Sequence, residues 1–529
     1  LFVHLYYFIE VGAVLATMAT ELAIESNLKA FLLVLSVSLG VATLPQMIGW
    51  FRQIPYTLLL VIVGLGLAFV DIRLVDLSPE LILSIFLPPL LFEAAWNLRW
   101  TALKQDWLPI TLYALLGVVI AIVGIGIGVS QWTSLPIASA LLLGASLSAT
   151  DPVSVTALFR ELGADKRLTT LMEGESLFND GMAVVAFGFL LGVPLGTATL
   201  SVQSTLLELI TVVGIGVAIG GVMGFGISYL TQRFDLPLVE QSLTLVSAYA
   251  AYLLTEDFGG SGVIAVVTTA MILGNFGSRI GMNPRTRIIV SEFWEFLAFF
   301  VNSIVFLLIG DQVEFDVLAE NLPTIAITII AMTIARAISV FVLGGASNWV
   351  AKSAIPMATQ IILWWGGLRG SVSIALALSL PVVLADREAI IATVFGVVLF
   401  TLLVQGLTTR PLLERLGLTG NQLLQEEYAE TLARQIALKR AMQHLQTAES
   451  RPGIDADFIG YQASLIKGEI ERLQEKIAKL KDEYPDLEAF IEQQLRDELL
   501  AVEADAYAEF VSAGWLNREL APFLTKLSQ

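Results

Sequence analysis

The sequence predicts an all-α polytopic membrane protein: about 13 transmembrane helices in two inverted six-helix repeats with crossed interrupted helices, then a helical cytoplasmic C-terminal domain. Three observations lead there. Of 529 residues, 56% are hydrophobic and 15% charged, with a mean hydropathy of +0.76, whereas soluble chains are roughly 25% charged. Such a chain cannot cover itself with polar surface. Apolar stretches of the ~20 residues that span a hydrocarbon core recur through the first four-fifths of the chain. Charge gathers at the other end: from Asn421 onward there are 20 Asp+Glu and 12 Lys+Arg, leaving 28 and 18 of the total 48 and 30 for the residues before it. That shift separates a membrane body, 28–418, from a soluble tail, 419–529, with an N-terminal segment at 1–27.

Composition also excludes. The chain has no cysteine and two histidines, His4 and His444, which removes disulfide scaffolds, thiolate chemistry and almost any zinc site. A net charge of −18 argues against nucleic acid as a partner.

Thirteen intervals read as spans: 28–50, 55–70, 79–98, 107–130, 135–158, 167–192, 204–231, 236–255, 261–277, 290–310, 322–347, 354–382 and 387–409. Segment 2–23 is a candidate further span. With Glu10, Glu21 and no basic flank it does not read as a signal peptide, and because the chain begins at Leu1 rather than Met, upstream residues are expected. Orientation follows from Lys and Arg in alternate connectors. After odd-numbered spans stand thirteen: Arg52; Arg99, Lys104; Arg160, Lys166, Arg167; Arg233; Arg279, Arg285, Arg287; Lys352; Arg410, Arg415. After even-numbered spans stand two, Arg73 and Arg387. The basic side, and the acidic tail attached to it, is expected to be cytoplasmic.

Few charges remain at depth: Glu93, Asp151, Glu173, Glu175, Asp180, Arg336 and Arg369. Each costs about 2.5–3.5 kcal/mol at a helix centre on insertion scales, so each is expected to be paired or to line an aqueous cavity. Plain helix-to-helix pairing would explain one such residue; seven in company suggest more. The fifth span, LLLGASLSATDPVSVTALF, is broken at Asp151–Pro152, where proline removes a donor and frees carbonyls one turn back. The twelfth, QIILWWGGLRGSVSIALALSL, repeats the device with Gly366, Gly367 and Gly370 around Arg369. With span 7 as a linker, these are the fifth members of two six-span sets of opposite topology. Matched interruptions in inverted halves point to the midplane site of a secondary transporter. The half-helix ends carry partial charges, which Asp151 and Arg369 are suited to neutralise.

Span 6 supplies the ligands. In GESLFNDGMAVVAF, Ser176 and Asp180 share one helical stripe, and Glu175 and Asn179 the adjacent one. The first stripe offers a hydroxyl and a carboxylate, hard oxygens suited to an alkali cation; the second offers groups that could hold Arg369. Glu93, two turns from Arg99, is either a further carboxylate ligand or a snorkelling side chain.

These residues resemble a known family. ATDPVSV (149–155), ESLFND (175–180) and GGLRGSVSIALAL (366–378) together look like the monovalent cation/proton antiporter-1 family of NhaP-type bacterial antiporters and eukaryotic sodium/proton exchangers, over about 28–418. The resemblance implies thirteen transmembrane helices, a homodimer in the bilayer, and a six-helix core moving against a dimerisation domain. It implies that Na⁺ binds at Asp180, Ser176, Thr150 and Glu93, that Asn179 pairs with Arg369, and that Glu175 helps hold that arginine. Electroneutral members carry Asn before the critical Asp, so Asn179 implies one-for-one exchange. No cofactor is implied beyond the transported Na⁺ and H⁺, and the expected location is a bacterial cell membrane. Segment 2–23 departs from the thirteen-span pattern.

The expected function is exchange of a monovalent cation (Na⁺ first, then Li⁺ or K⁺) for H⁺, by competition for one buried carboxylate. A cation channel on the same body is the alternative. An enzyme is not expected, because both histidines lie outside the core and no Ser–His pair is available. In the tail, Ile466, Ile470, Leu473, Ile477, Leu480 and Tyr484 recur at spacings of four and three. They form either a short coiled-coil seam for pairing or regulation, or one face of a small helical bundle.

Overall fold

The computed structural model describes residues 28–29, 31–44, 54–71, 74, 77–196, 202–231, 233, 236–282, 284–350, 354–419, 422–448 and 456–483. Segment 2–23 and Tyr484 lie outside them. The chain divides into two compact units, Leu1–Thr419 and Gly420–Gln529.

The first unit opens with α1 (Phe31–Leu44), α2 (Tyr56–Phe69) and α3 (Leu81–Asn97). The first turn of α3, Leu81–Phe86, is π-helical ahead of Pro88 and Pro89. Pro89 has no N–H for the carbonyl of Ile85, and the Tyr249 hydroxyl donates to that carbonyl instead, at 2.9 Å. Next come α4 (Trp100–Gln105), α5 (Trp107–Trp132), α6 (Ile137–Ser146), α7 (Val153–Glu161) and α8 (Lys166–Leu191). They are followed by α9 (Val202–Thr231), α10 (Pro237–Asp257), α11 (Gly262–Ile272, running on as a π-helix to Gly281) and α12 (Pro284–Asp311). The unit closes with α13 (Phe315–Glu320), α14 (Leu322–Val350), α15 (Met357–Trp365), α16 (Ser371–Leu378), α17 (Arg387–Phe400) and, after a π-turn at Thr401–Gly406, α18 (Leu407–Arg415).

Among the described residues, five helical runs are long and apolar enough to cross a membrane: Trp107–Trp132, Leu207–Thr231, Arg285–Asp311, Leu322–Val350 and Arg387–Arg415. α8 is as long, at 26 residues, but carries Glu173, Glu175 and Asp180. Every interval read as a span contains a helix or, at 135–158 and 354–382, two short helices about a break.

Two packing sets position the site. α5 lies against α14, α6 and α8, and α14 against α17; elsewhere α2 crosses α12, and α11 packs on α9 and α3. The α2–α12 crossing is backbone on backbone. A Cβ at Gly64 would collide with the carbonyl of Leu307, and one at Gly310 with that of Val61, so only glycine admits this approach.

In the second unit α19 (Gln422–Ala448) packs on α20 (Ala456–Glu483). Leu473 and Leu480 of the seam are buried, as are Tyr428, Thr431 and Gln435 of α19, and Lys476 reaches Glu427 at 2.7 Å. Within the chain, the seam is therefore covered by α19.

Candidate functional site: a crossing of two broken helices

α6 ends at Ser146 and α7 begins at Val153; α15 ends at Trp365 and α16 begins at Ser371. The extended residues between them meet: the Asp151 N–H donates to the carbonyl of Leu368 at 2.8 Å. Gly370 is required there, since a Cβ would strike the Asp151 carboxylate.

Four helix ends converge, and charged side chains answer them. Asp151 Oδ1 accepts from the Val153 N–H at 2.9 Å, which places a carboxylate at the N-terminal start of α7, and its Oδ2 lies beside Gly370, just ahead of α16. Anions are favoured at such ends. Arg369 Nη1 donates to the carbonyls of Ser148 and Ala149, both at 2.9 Å, following the end of α6. Arg336 Nη2 donates to the carbonyl of Leu363 at 2.8 Å, in the last turn of α15. Cations are favoured at these C-terminal ends.

The hydrogen bonds run differently from those the resemblance implies for Glu175 and Asn179. Glu175 forms a buried, bidentate pair with Arg336, through Nη1 and, at 3.0 Å, Nη2, rather than holding Arg369. Nor do the side chains of Asn179 and Arg369 meet in a hydrogen bond among the described residues. Asn179 Nδ2 donates to Thr150 Oγ1 at 2.7 Å and its Oδ1 accepts from the Thr150 N–H at 3.3 Å. Arg369 instead donates to the carbonyls freed where α6 stops and, through Nε, to Met332 Sδ at 3.4 Å. The sequence showed Arg336 as a charge within a 29-residue apolar helix, but nothing in it named the partner.

Ser176 Oγ donates to the Thr150 carbonyl, which fixes α8 against the break. One turn on, Asp180 is 8% exposed as a residue, and its Oδ1 is buried with no hydrogen-bond partner. Ser373 Oγ on α16 is likewise buried and unpartnered. A cavity of about 70 Å³ is lined by Thr150, Asp151, Ser176, Asp180, Gly370 and Ser373, and also by Glu173 and Asn302. One water needs only about 10–15 Å³ of such space, so the cavity has room for a cation and water. Of the expected ligands, Asp180, Ser176 and Thr150 thus come together. Glu93 does not join them: its Oε1 accepts from Asn97 at 2.6 Å, and it lines an adjoining cavity of about 230 Å³ with Arg160, Glu173, Glu295 and Asn302. Sequence reasoning noted Glu173 without a role and missed Asn302, Ser373 and Thr401, whose Oγ1 accepts from the Arg369 N–H at 3.0 Å; hydroxyls and amides give no signal inside an apolar run.

Crossed helix breaks with charge-capped ends thus lie beside a buried carboxylate oxygen that has no hydrogen-bond partner, in a largely apolar helical unit of the membrane-protein class. The chain belongs to the family described as "Sodium/hydrogen exchanger, transmembrane", whose profile matches residues 34–415. It is 61% identical over 508 residues to the Na(+)/H(+) antiporter ApNhaP of Aphanothece halophytica, covering 96% of this chain and 98% of that one. It is 56% identical over 511 residues to the low-affinity Na(+)/H(+) antiporter NhaS1 of Synechocystis, covering 96% and 97%. Its fold resembles that of the sodium proton antiporter MjNhaP1 of Methanocaldococcus jannaschii at pH 8, with a TM-score of 0.62 at 20% identity, over 74% of this chain and 99% of that one.

Proposed function

We propose that the protein is an integral membrane antiporter that exchanges a monovalent cation, Na⁺ first, for H⁺, one for one, through alternate occupation of Asp180. Cation/proton exchange follows from family membership and from what the most similar relatives are called; those names also speak against a channel. The observation that carries the finer reading is the unpartnered, buried Oδ1 of Asp180. A carboxylate charge left bare in low dielectric is costly. It is relieved either by a proton or by a cation, and the two cannot share the oxygens. Ser176 Oγ, the Thr150 carbonyl and Ser373 Oγ are hard donors for the cation, and Glu93 is a ligand only if α3 moves toward the inner cavity. Asn179 is neutral, so one carboxylate serves both ions and a cycle moves no net charge.

Further features support the rest of the reading. The packing is paired under exchange of the two halves: α2–α12 matches α11–α3, α5–α8 matches α14–α17, α5–α6 matches α14–α15, and α6 meets α16. Such pairing supports two inverted repeats within thirteen crossings, with Arg369, Asp151, Glu175 and Asn179 as the fixed charge and hydrogen-bond frame. Connector charge supports a cytoplasmic tail. The run Leu207–Thr231 of α9 is largely unburied and leaves an apolar face for lipid or for the second copy of a homodimer in a bacterial cell membrane.

The test is Asp180→Asn in proteoliposomes. The variant should fold and bind no proton at this site, and exchange of Na⁺ for H⁺ should vanish. Wild-type rates from D180N would overturn the assignment.

A further inference from the structure

We infer that Glu173 is the residue that hands cations between the cytoplasmic vestibule and the Asp180 cavity, and that the Arg160 guanidinium is its displaceable occupant, holding the passage until a cation takes its place. The inference rests on the proposed exchange at Asp180 and on the cytoplasmic orientation of the basic connectors.

Two cavities adjoin. Ala94, Pro152, Val153, Glu173 and Asn302 line both the small one at Asp180 and the larger one at Glu93 and Glu295. Of these five shared residues, Glu173 alone bears a charge. It also stands on the stripe of α8 that carries Ser176 and Asp180, at offsets of three and seven, about 10 Å along the axis from Asp180. A cation that leaves the vestibule for the inner cavity thus meets this carboxylate on the way.

The carboxylate has a partner, and the partner is loosely held. Arg160 Nη2 lies 3.2 Å from Glu173 Oε1; its side chain is 65% exposed and that of Glu173 20% exposed. Arg160 sits in the last turn of α7 and faces only the vestibule. An ion pair with one partner this exposed is weak beside a fully buried one, and the guanidinium can return to water. The neighbouring pair differs: Arg167 grips both oxygens of Asp106 through Nε and Nη2, at 2.7–3.2 Å, and also donates to the carbonyl of Ala354 at 3.0 Å, while the Asp106 side chain is 8% exposed. That pair is structural. The Arg160–Glu173 pair is built to open.

The roles make opposite predictions for the two partners. In everted vesicles, which present the cytoplasmic face, Glu173→Gln should raise the apparent KM for Na⁺ about threefold or more, as expected when a focusing charge is lost, and Glu173→Asp should restore most of the wild-type value. Arg160→Gln should lower that KM by a factor of about two or more, because the cation no longer competes with a tethered one. Where E173Q assembles poorly, R160Q still decides the matter. The inference is overturned if R160Q leaves KM at the wild-type value, or if E173Q reduces the maximal rate at an unchanged KM. D180N in the same vesicles separates the two levels. If D180N exchanges, the Asp180 reading falls; if D180N is silent and R160Q shows the wild-type KM, only the relay falls.

Discussion

The guanidinium groups of Arg336 and Arg369 each reach a point where a short helix stops, and each donates there to carbonyls left over. Arg336 in addition holds Glu175, 161 residues away in the chain. Removing one partner of such a buried pair leaves the other charge bare, a loss of about 3–5 kcal/mol, whereas replacing both with apolar residues of similar volume is far milder. Arg336→Gln should therefore lower the melting temperature in detergent strongly, and R336M combined with E175M should recover much of it. Equal melting of R336Q and wild type would deny the pair its structural role. At this level the sequence marked the charged residues at depth and concealed whom they touched. A charge in an apolar run stands out by itself. Its partner lies on another helix, and helical periodicity specifies a stripe but not what the stripe faces; so Glu175 and Asn179, neighbours on one stripe, serve Arg336 and Thr150 respectively.

Helices in this protein are shaped by residues that either break them or let them approach. The breaks at Asp151–Pro152 and Gly366–Gly370 were readable because proline and clustered glycine interrupt an otherwise continuous apolar pattern. The π-turns were not: the Pro88–Pro89 pair announces a disturbance, but the Tyr249 hydroxyl that satisfies the stranded Ile85 carbonyl comes from a distant helix. Close crossings follow the same logic. Gly64 and Gly66 are two residues apart on α2, yet a Cβ at Gly64 would meet the backbone of α12, while one at Gly66 meets nothing within 4 Å. Gly64→Ala should destabilise by about 1–3 kcal/mol through overpacking. Gly66→Ala should be neutral or stabilising, by up to about 1 kcal/mol, through helix propensity. Melting in detergent checks the contrast, and identical shifts for the two variants would contradict the crossing.

Across the molecule, the membrane unit presents a small cavity holding the Asp151 and Asp180 carboxylates at the meeting of two broken helices, joined by shared lining residues to a larger vestibule. Composition and recurring apolar stretches made the all-helical membrane class evident, and connector charge gives an expected orientation. The cavities and the exclusion of Glu93 from the inner one arise from packing between distant segments and could not be read from spacing. The function we propose is, at this level, a cycle in which Asp180 is never left both empty and charged while the protein reorients. Competition at one carboxylate makes a quantitative demand on the whole cycle, measurable as the apparent KM for Na⁺ in proteoliposomes over a range of pH. On the acid side KM should rise about tenfold per pH unit by mass action, while saturating Na⁺ restores the same maximal rate. A KM that stays constant while the maximal rate falls with pH would mean that proton and cation occupy separate sites, contrary to the central claim.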